Sequence, residues 1–109
     1  MTDSLPDPIR AFVETTNAGD SDAFVAIFTE DARLEDWGRV FTGPEGVRSW
    51  DGTDNIGKQS HFDVVSSEPG TEPETYVVTL KVTGNGYNGT GPMTFRLHEG
   101  RIAGLTIAP

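Results

Sequence analysis

Two adjacent carboxylates lie between apolar and aromatic residues in the first half of the chain. Glu35 and Asp36 follow Leu34 and precede Trp37. On a β-strand neighbouring side chains point to opposite faces, so one carboxylate can enter the interior while the other faces solvent. A carboxylate placed among aromatic groups loses hydration and becomes a stronger proton acceptor. The pattern predicts an apolar pocket with one acid–base group, whereas a turn aspartate that hydrogen-bonds the backbone near Gly38 is the alternative.

Two further residues could complete such a pocket. His61 could supply a second polar group, although a histidine on the surface or satisfied in the core fits its local pattern equally well. Trp50 lies three residues after Val47 on one face of a predicted helix. A tryptophan in that position serves either as core or as a pocket wall.

Three short motifs and the two histidines do not indicate a cofactor, glycosylation or metal site. Residues 84–89 have the glycine spacing of a dinucleotide-binding loop, but a predicted strand follows instead of the required helix, so we predict a glycine-rich hairpin loop. Asn88-Gly89-Thr90 is a glycosylation sequence only in a secreted protein. Residues 51–55 lack the acidic spacing and terminal glutamate of a calcium loop. His61 and His98 have no second histidine at zinc-ligand spacing. We therefore expect neither a metal nor a cofactor.

Composition excludes several classes of protein. The chain has 109 residues, which fits a single domain over 1–109, and it has no cysteine for disulfides, thiolate catalysis or cysteine zinc sites. Its 17 acidic and 8 basic residues give a net charge of −9, which disfavours nucleic acid and anionic membranes as partners. The N-terminus lacks a signal-peptide pattern and no apolar run is long enough to span a membrane, so we expect a cytoplasmic protein.

Helix signals precede strand signals along the chain. Asp7-Pro8 predicts a helix start and Asn17-Ala18-Gly19 its end, and Asp20 or Ser21 then begins a short second helix. A capping box at Thr42 and Glu45 predicts a third helix that ends before the turn-like residues 51–55. The buried faces of the first two helices are expected to contain Ile9, Phe12, Val13 and Thr16, then Phe24, Ile27 and Phe28.

Alternating residues predict the strands. They lie at residues 33–35, 38–41, 61–66, 75–82, 93–98 and 101–107, and Glu99-Gly100 forms a tight hairpin turn between the last two. Helices followed by antiparallel strands indicate an α+β fold, with the helices on one face of a curved sheet.

In this order the segments resemble the nuclear-transport-factor-2-like superfamily, specifically its SnoaL-like and ketosteroid-isomerase-like members. The resemblance covers nearly the whole chain and rests on residues 12–13, 17–20, 28–32, 34–36, 43–50 and 94–97. It implies a cone, a cystatin-like roll of three N-terminal helices packed on a strongly curved mixed or antiparallel sheet around an apolar cavity. It also implies a homodimer formed through the outer face of the sheet.

The resemblance assigns roles to a few residues. Asp36 matches the aspartate with which ketosteroid isomerases move a proton, and Trp50 matches an aromatic cavity residue. The positions of the two enolate hydrogen-bond donors hold Phe12 and Met93, which cannot donate. Because losing one such donor typically costs about 3–4 kcal/mol of transition-state stabilisation, steroid isomerisation by that mechanism is not expected.

The sequence leaves three functions open. The first is a cofactor-independent isomerase, cyclase, dehydratase or hydrolase acting on a small hydrophobic carbonyl or polycyclic substrate, with Asp36 as acid or base and His61 orienting or polarising. The second is a non-catalytic small-molecule-binding protein. The third is a dimeric accessory domain whose cavity is merely core. For the first two, the expected substrate-binding walls are Phe12, Trp37, Trp50, Met93 and Phe95.

Overall fold

Three α-helices and six strands form the fold in a computed structural model, which describes residues 5–108. The helices are α1 (Asp7–Ala18), α2 (Ser21–Ala26) and α3 (Gly43–Asp54), and a short 3₁₀ turn follows at Ile56–Lys58. The strands are β1 (Phe28–Asp36), β2 (Arg39–Thr42), β3 (His61–Pro69), β4 (Thr75–Thr83), β5 (Gly89–His98) and β6 (Arg101–Ile107). The α+β class is confirmed, and α3 follows β1 and β2, in the order that the predicted strands at 33–35 and 38–41 and the helix after Thr42 require. No helix within the described range is long and apolar enough to cross a membrane.

The strands form one open sheet in the order β2-β1-β6-β5-β4-β3. The pair β1–β6 is parallel and all other pairs are antiparallel, so the sheet is mixed. Register shifts interrupt three of the pairs, between Phe28 and Arg33, between Val64 and Ser66, and between Arg96 and Leu97. Such irregularities bend and twist a strand, which lets the sheet curve around the helices.

The local signals between α1 and α2 are confirmed, whereas Asp7 is already the first residue of α1 and Thr42 precedes α3 without a side-chain capping hydrogen bond. α1 ends at Ala18, and Gly19 follows with φ 71°, the left-handed conformation that glycine adopts without a steric penalty. Asp20 caps α2, because its side chain accepts a hydrogen bond from the backbone N–H of Ala23 at 3.2 Å. The second predicted helix is too long, since Phe28 begins β1.

The third helix is longer than its sequence indicates. The turn-like residues after Trp50 continue α3 as far as Asp54. Asp51 and Asn55 are each 1% exposed, and Asn55 Nδ2 donates to Asp51 Oδ1 at 3.2 Å and to Thr16 Oγ1 at 3.0 Å. These polar residues therefore support a buried helix end instead of a solvated turn, which corrects the expectation of a shortened helix.

The core is centred on the ring of Phe12, which is fully buried. Its centroid lies between 5.1 Å and 6.3 Å from the centroids of four other phenylalanine rings. These come from both the helices and the sheet: Phe24, Phe28, Phe62 and Phe95. Aromatic pairs at these separations gain about 0.5–1.5 kcal/mol beyond simple burial, so this cluster joins the two layers.

Asn17 fastens the end of α1 to the start of β3. Its Nδ2 donates to the carbonyl oxygen of Phe62 at 3.0 Å, and its Oδ1 accepts from the backbone N–H of Phe62 at 2.8 Å. One side-chain amide thereby satisfies both backbone groups of Phe62. The helix and the edge strand are held in a fixed register next to the aromatic cluster.

We expect Asn17→Ala to lower the free energy of unfolding by about 1–3 kcal/mol, because both backbone groups of Phe62 lose their partners. Urea denaturation monitored by circular dichroism measures this change. Glu14→Ala, at an exposed position of the same helix, is the matched control and should change stability by less than about 0.5 kcal/mol. Equal effects of the two substitutions would contradict a structural role for the Asn17 amide.

Candidate functional site

A cavity with a volume of about 600 Å³ lies between α3 and the sheet. This volume is within the range of roughly 300–1,000 Å³ that small-molecule sites occupy. Much of its wall is apolar, formed by Trp50, Phe62, Val82, Pro92, Met93 and Ile107. Charged side chains also line the cavity, namely those of Asp36, Arg39, Asp54 and Lys58.

The carboxylate of Asp36 is held by two donors on a single oxygen. Trp50 Nε1 and Arg39 Nη2 each donate to Asp36 Oδ2 at 2.9 Å. The side chain is 13% exposed, and Oδ1 makes no hydrogen bond to any of residues 5–108. Since no fully enclosed side-chain oxygen or nitrogen in that range lacks a partner, Oδ1 retains exposed surface, and Asp36 is one of the residues that line the cavity. One carboxylate oxygen is thus fixed and the other is free to meet a ligand.

Trp50 is positioned by the helical repeat of α3. It shares the buried face of the helix with Val47 and is 3% exposed. Its ring system stacks on Phe24 with centroids 6.1 Å apart and an interplanar angle of 24°. Because the indole face packs on the core, its N–H group points in a fixed direction, towards Asp36.

A tight turn between β1 and β2 brings Asp36 and Arg39 together. The two central residues, Trp37 and Gly38, have φ values of 53° and 86°. Positive φ at both positions is the requirement of a type I′ hairpin, which places the flanking residues directly opposite each other. Asp36 pairs with Arg39 in the strand register, and the backbone N–H of Trp37 donates to the carbonyl of Ile107 at 3.0 Å.

Arg39 also forms an ion pair with Asp54 on α3. Arg39 Nη2 donates to Asp54 Oδ1 at 3.1 Å and Nη1 donates to Oδ2 at 3.3 Å. The hydrogen bond with Asp54 raises the pKa of Arg39; burial opposes this, and the attraction of Asp54 and Asp36 adds to it. The guanidinium therefore links the β1–β2 turn to the end of α3.

The same ion pair lowers the pKa of Asp54. Burial acts to raise this pKa, but hydrogen bonds from Arg39 and Thr53, together with the positive charges of Arg39 and Lys58, outweigh burial. Thr53 Oγ1 donates to Asp54 Oδ2 at 2.7 Å. Asp54 consequently stays ionised and holds Arg39 in place beside Asp36.

The structure brings together four of the seven residues expected at the site: Asp36, Trp37, Trp50 and Met93 all line the cavity. Phe12 and Phe95 are 0% exposed and lie in the core instead of in the cavity wall. Phe62 explains this placement of Phe12, because it lines the cavity and stacks on Phe12 with centroids 5.3 Å apart.

His61 lies apart from Asp36 and does not line the cavity. Its imidazole is 53% exposed, with Nε2 3.5 Å from Asp63 Oδ1. The alternation of β3 is the physical reason, since the next residue, Phe62, turns inward and His61 therefore turns outward. The expectation that Asp36 and His61 share one cavity is corrected accordingly.

Arg39, Asp54 and Ser60 are cavity residues that the sequence reasoning missed. The signal for Arg39 was present, because residues on either side of a two-residue turn face each other across a hairpin. Asp54 lies in a segment of turn composition, and Ser60 has no distinctive local pattern. Their positions depend on the long α3 helix and the chain reversal after it.

A SnoaL-like domain model matches residues 9–105. The chain belongs to the SnoaL-like domain family. No curated protein is significantly similar in sequence to this SnoaL-like domain.

Solved structures with this fold include a protein from Sinorhizobium meliloti named as a polyketide cyclase, with 25% identity, a TM-score of 0.87 and coverage of 97% of both chains. A second structure is that of SalBIII, an epoxide hydrolase/cyclase-like enzyme named for a role in pyran ring formation in the polyether salinomycin. It has 21% identity and a TM-score of 0.81, and the match covers 99% of this chain and 93% of that chain. A Mycobacterium tuberculosis protein in complex with estradiol-17beta-hemisuccinate has 16% identity and a TM-score of 0.79, and the match covers 92% of this chain and 88% of that chain.

A double-mutant cycle tests the link between Trp50 and Asp36 in the SnoaL-like domain. Trp50→Phe keeps an aromatic ring on Phe24 but removes the N–H donor, and Asp36→Ala removes the acceptor. We expect a coupling free energy of about 1.5–3 kcal/mol from urea unfolding, the range for hydrogen bonds to charged groups. The control cycle of Trp50→Phe with Glu35→Ala should give less than about 0.5 kcal/mol. Equal coupling in the two cycles would contradict the hydrogen bond.

The lowered pKa of Asp54 predicts a loss of stability in acid. Since folding favours its charged form, the stabilisation is complete above the ordinary aspartate range and is lost as the pH falls from about 5 towards 3. The free energy of unfolding, measured in urea over this range, should fall more steeply for the wild type than for Asp54→Asn. Glu14→Gln, which changes an exposed carboxylate on α1, should keep the wild-type slope. Parallel curves for wild type and Asp54→Asn would refute this assignment.

Proposed function

We propose that this SnoaL-like domain binds a small hydrophobic carbonyl compound in its cavity and uses Asp36 to move a proton on it. The observation that carries the proposal is the free Oδ1 of Asp36 at a largely apolar cavity of about 600 Å³. An ionisable group in such surroundings is costly to maintain unless it has partners or a function. Within residues 5–108, both partners of Asp36 donate to Oδ2, and Oδ1 has no hydrogen-bond partner.

The chemistry that suits this geometry is proton transfer next to a carbonyl group. Asp36 Oδ1 would accept a proton from the adjacent carbon, so that the C–H bond breaks, an O–H bond forms and the electron pair moves onto the carbonyl oxygen. The same oxygen would then return the proton to the ligand. Trp50 and Arg39 would keep the carboxylate oriented during both steps, which removes the entropic cost of aligning it.

The family supports the class of ligand. Its structural neighbours include a ring-forming enzyme of polyether synthesis and a protein in complex with a steroid derivative, both of which are named for small, largely hydrophobic molecules. The cavity wall of Trp50, Phe62, Val82, Met93 and Ile107 suits a ligand of that class. Isomerisation of unsaturated ketones, aldol cyclisation and dehydration of β-hydroxyketones each include removal of a proton next to a carbonyl group.

Binding without catalysis is a second function with an observation of its own. Phe12 and Met93 occupy the positions that the resemblance assigns to enolate donors, and neither can donate a hydrogen bond. Phe12 also lies in the core instead of at the cavity. A cavity without those donors suits a carrier or sensor of hydrophobic compounds as well.

Exchange of the protons next to the carbonyl of β-tetralone for solvent deuterium, followed by proton NMR, distinguishes the two functions. We expect the wild type to accelerate exchange and Asp36→Asn to slow it at least about 100-fold, the usual contribution of a general base. Glu35→Gln is the matched control, because the Glu35 side chain pairs with Arg33 and does not line the cavity. Its exchange rate should equal that of the wild type.

Equal exchange in wild type and Asp36→Asn would eliminate Asp36 as the base. A carrier would give a different pattern: no acceleration by the wild type, but a rise in melting temperature with β-tetralone that survives Asp36→Asn. Melting curves without ligand establish that each variant is folded.

A further inference from the structure

One buried hydroxyl at the cavity has no hydrogen-bond partner among the residues that the structure describes. Ser60 is 6% exposed, and its backbone N–H donates to the carbonyl of Asn55 at 3.1 Å. Its Oγ makes no hydrogen bond within residues 5–108. Because no fully enclosed side-chain oxygen or nitrogen of that range is unpaired, Oγ opens onto a space that a small molecule can reach.

Ser60 immediately precedes β3 and is one of the residues that line the cavity. Ser60 borders both the cavity and a shallower depression of about 360 Å³ beside His61. Phe62, two residues further on, is buried and lines the cavity, whereas His61 between them is exposed. Side chains two residues apart in an extended segment point to the same face, so Ser60 faces the cavity with Phe62.

The polar side chains around the end of α3 are already engaged, and the further donors of the cavity lining belong to exposed residues, namely Trp37, Lys58, Tyr87 and Thr90. Asn55, the second buried polar residue of the cavity wall, donates its amide to Thr16 and Asp51. The hydroxyl of Thr53 lies within hydrogen-bond distance of two acceptors, Asp54 Oδ2 at 2.7 Å and the carbonyl oxygen of Ser49 at 3.0 Å, so its one proton is engaged. In the described part of the chain, Ser60 therefore supplies the uncommitted buried donor at this cavity.

We propose that Ser60 Oγ donates a hydrogen bond to the carbonyl oxygen of the ligand, so that the cavity selects a hydrophobic ketone over a hydrocarbon of the same shape. This proposal rests on the proposed function and names the group that recognises the carbonyl. A site built around a buried donor discriminates against ligands that lack the matching acceptor, because the donor is then left unpaired. Ser60 would thereby provide a donor that Phe12 and Met93 cannot provide.

Binding of two probes with one carbon skeleton tests the role of Ser60. NMR titration measures the dissociation constants of β-tetralone and of tetralin, which lacks the carbonyl. We expect Ser60→Ala to weaken β-tetralone about tenfold and to leave tetralin within about twofold of the wild type. Ser60→Thr, which retains a hydroxyl, should restore ketone binding in part. Thr94→Val, which removes an exposed hydroxyl of β5 outside the cavity wall, is the control and should bind both probes as the wild type does.

The carbonyl carbon of isotopically labelled β-tetralone gives a second readout. A hydrogen bond moves its chemical shift downfield, and Ser60→Ala should return the bound ligand towards the value in apolar solvent. Equal weakening of both probes by Ser60→Ala, or an unchanged carbonyl shift, would overturn the role of Ser60 while the proposed function stands. If the wild type binds neither β-tetralone nor tetralin, both the role of Ser60 and the proposed function are wrong.

Discussion

The position of the indole of Trp50 governs the candidate site. Its face is stacked on Phe24 within the aromatic core, and its N–H group is hydrogen-bonded to Asp36 at the cavity. Because the indole is held rigidly by the core, it also fixes the orientation of the Asp36 carboxylate at the end of β1. A shorter or more flexible donor would leave that carboxylate free to rotate, and the distinction between its two oxygens would be lost.

The charges at the cavity form a chain of partners. Arg39 joins Asp36 on β1 to Asp54 on α3, and Thr53 and Lys58 further stabilise the negative charge of Asp54. Ion pairs between exposed groups contribute little to stability on average, so this chain matters more for position than for free energy. Arg39 is about half exposed, and it holds two separate elements at one end of the cavity.

Local sequence signals account for much of the fold. Gly19, Asp20 and the Glu99-Gly100 turn lie where short-range chemistry requires them, and β6 has its predicted bounds. The signals failed where a distant partner decides the conformation. Asp51 and Asn55 have turn composition, but burial against Thr16 keeps them at the end of a helix.

The candidate site shows the same contrast between local sequence signals and contacts with distant partners. Asp36 and Trp50 are identifiable from the sequence because their residue types and flanking patterns are distinctive. The hydrogen bond between them is not predictable from local sequence, since it joins the end of a strand to a helix. His61 and Phe12 were misplaced for the opposite reason: their types suit a pocket, but strand alternation turns His61 outward and the ring of Phe62 separates Phe12 from the cavity. Ser60 can be identified only from the structure, because its buried hydroxyl lacks a hydrogen-bond partner among the described residues.

The parallel pairing of β1 with β6 has a consequence for how the protein forms. β6 is the last strand in the sequence, yet it lies between β1 and β5 and supplies the carbonyl that receives the Trp37 backbone N–H. The first and last strands must therefore meet before the turn carrying Asp36 is anchored. Contacts between segments so distant in sequence form slowly, because closing the long intervening loop costs chain entropy before the contacts are made. The turn that carries Asp36 into the cavity wall therefore depends on a strand from the other end of the sheet-forming sequence.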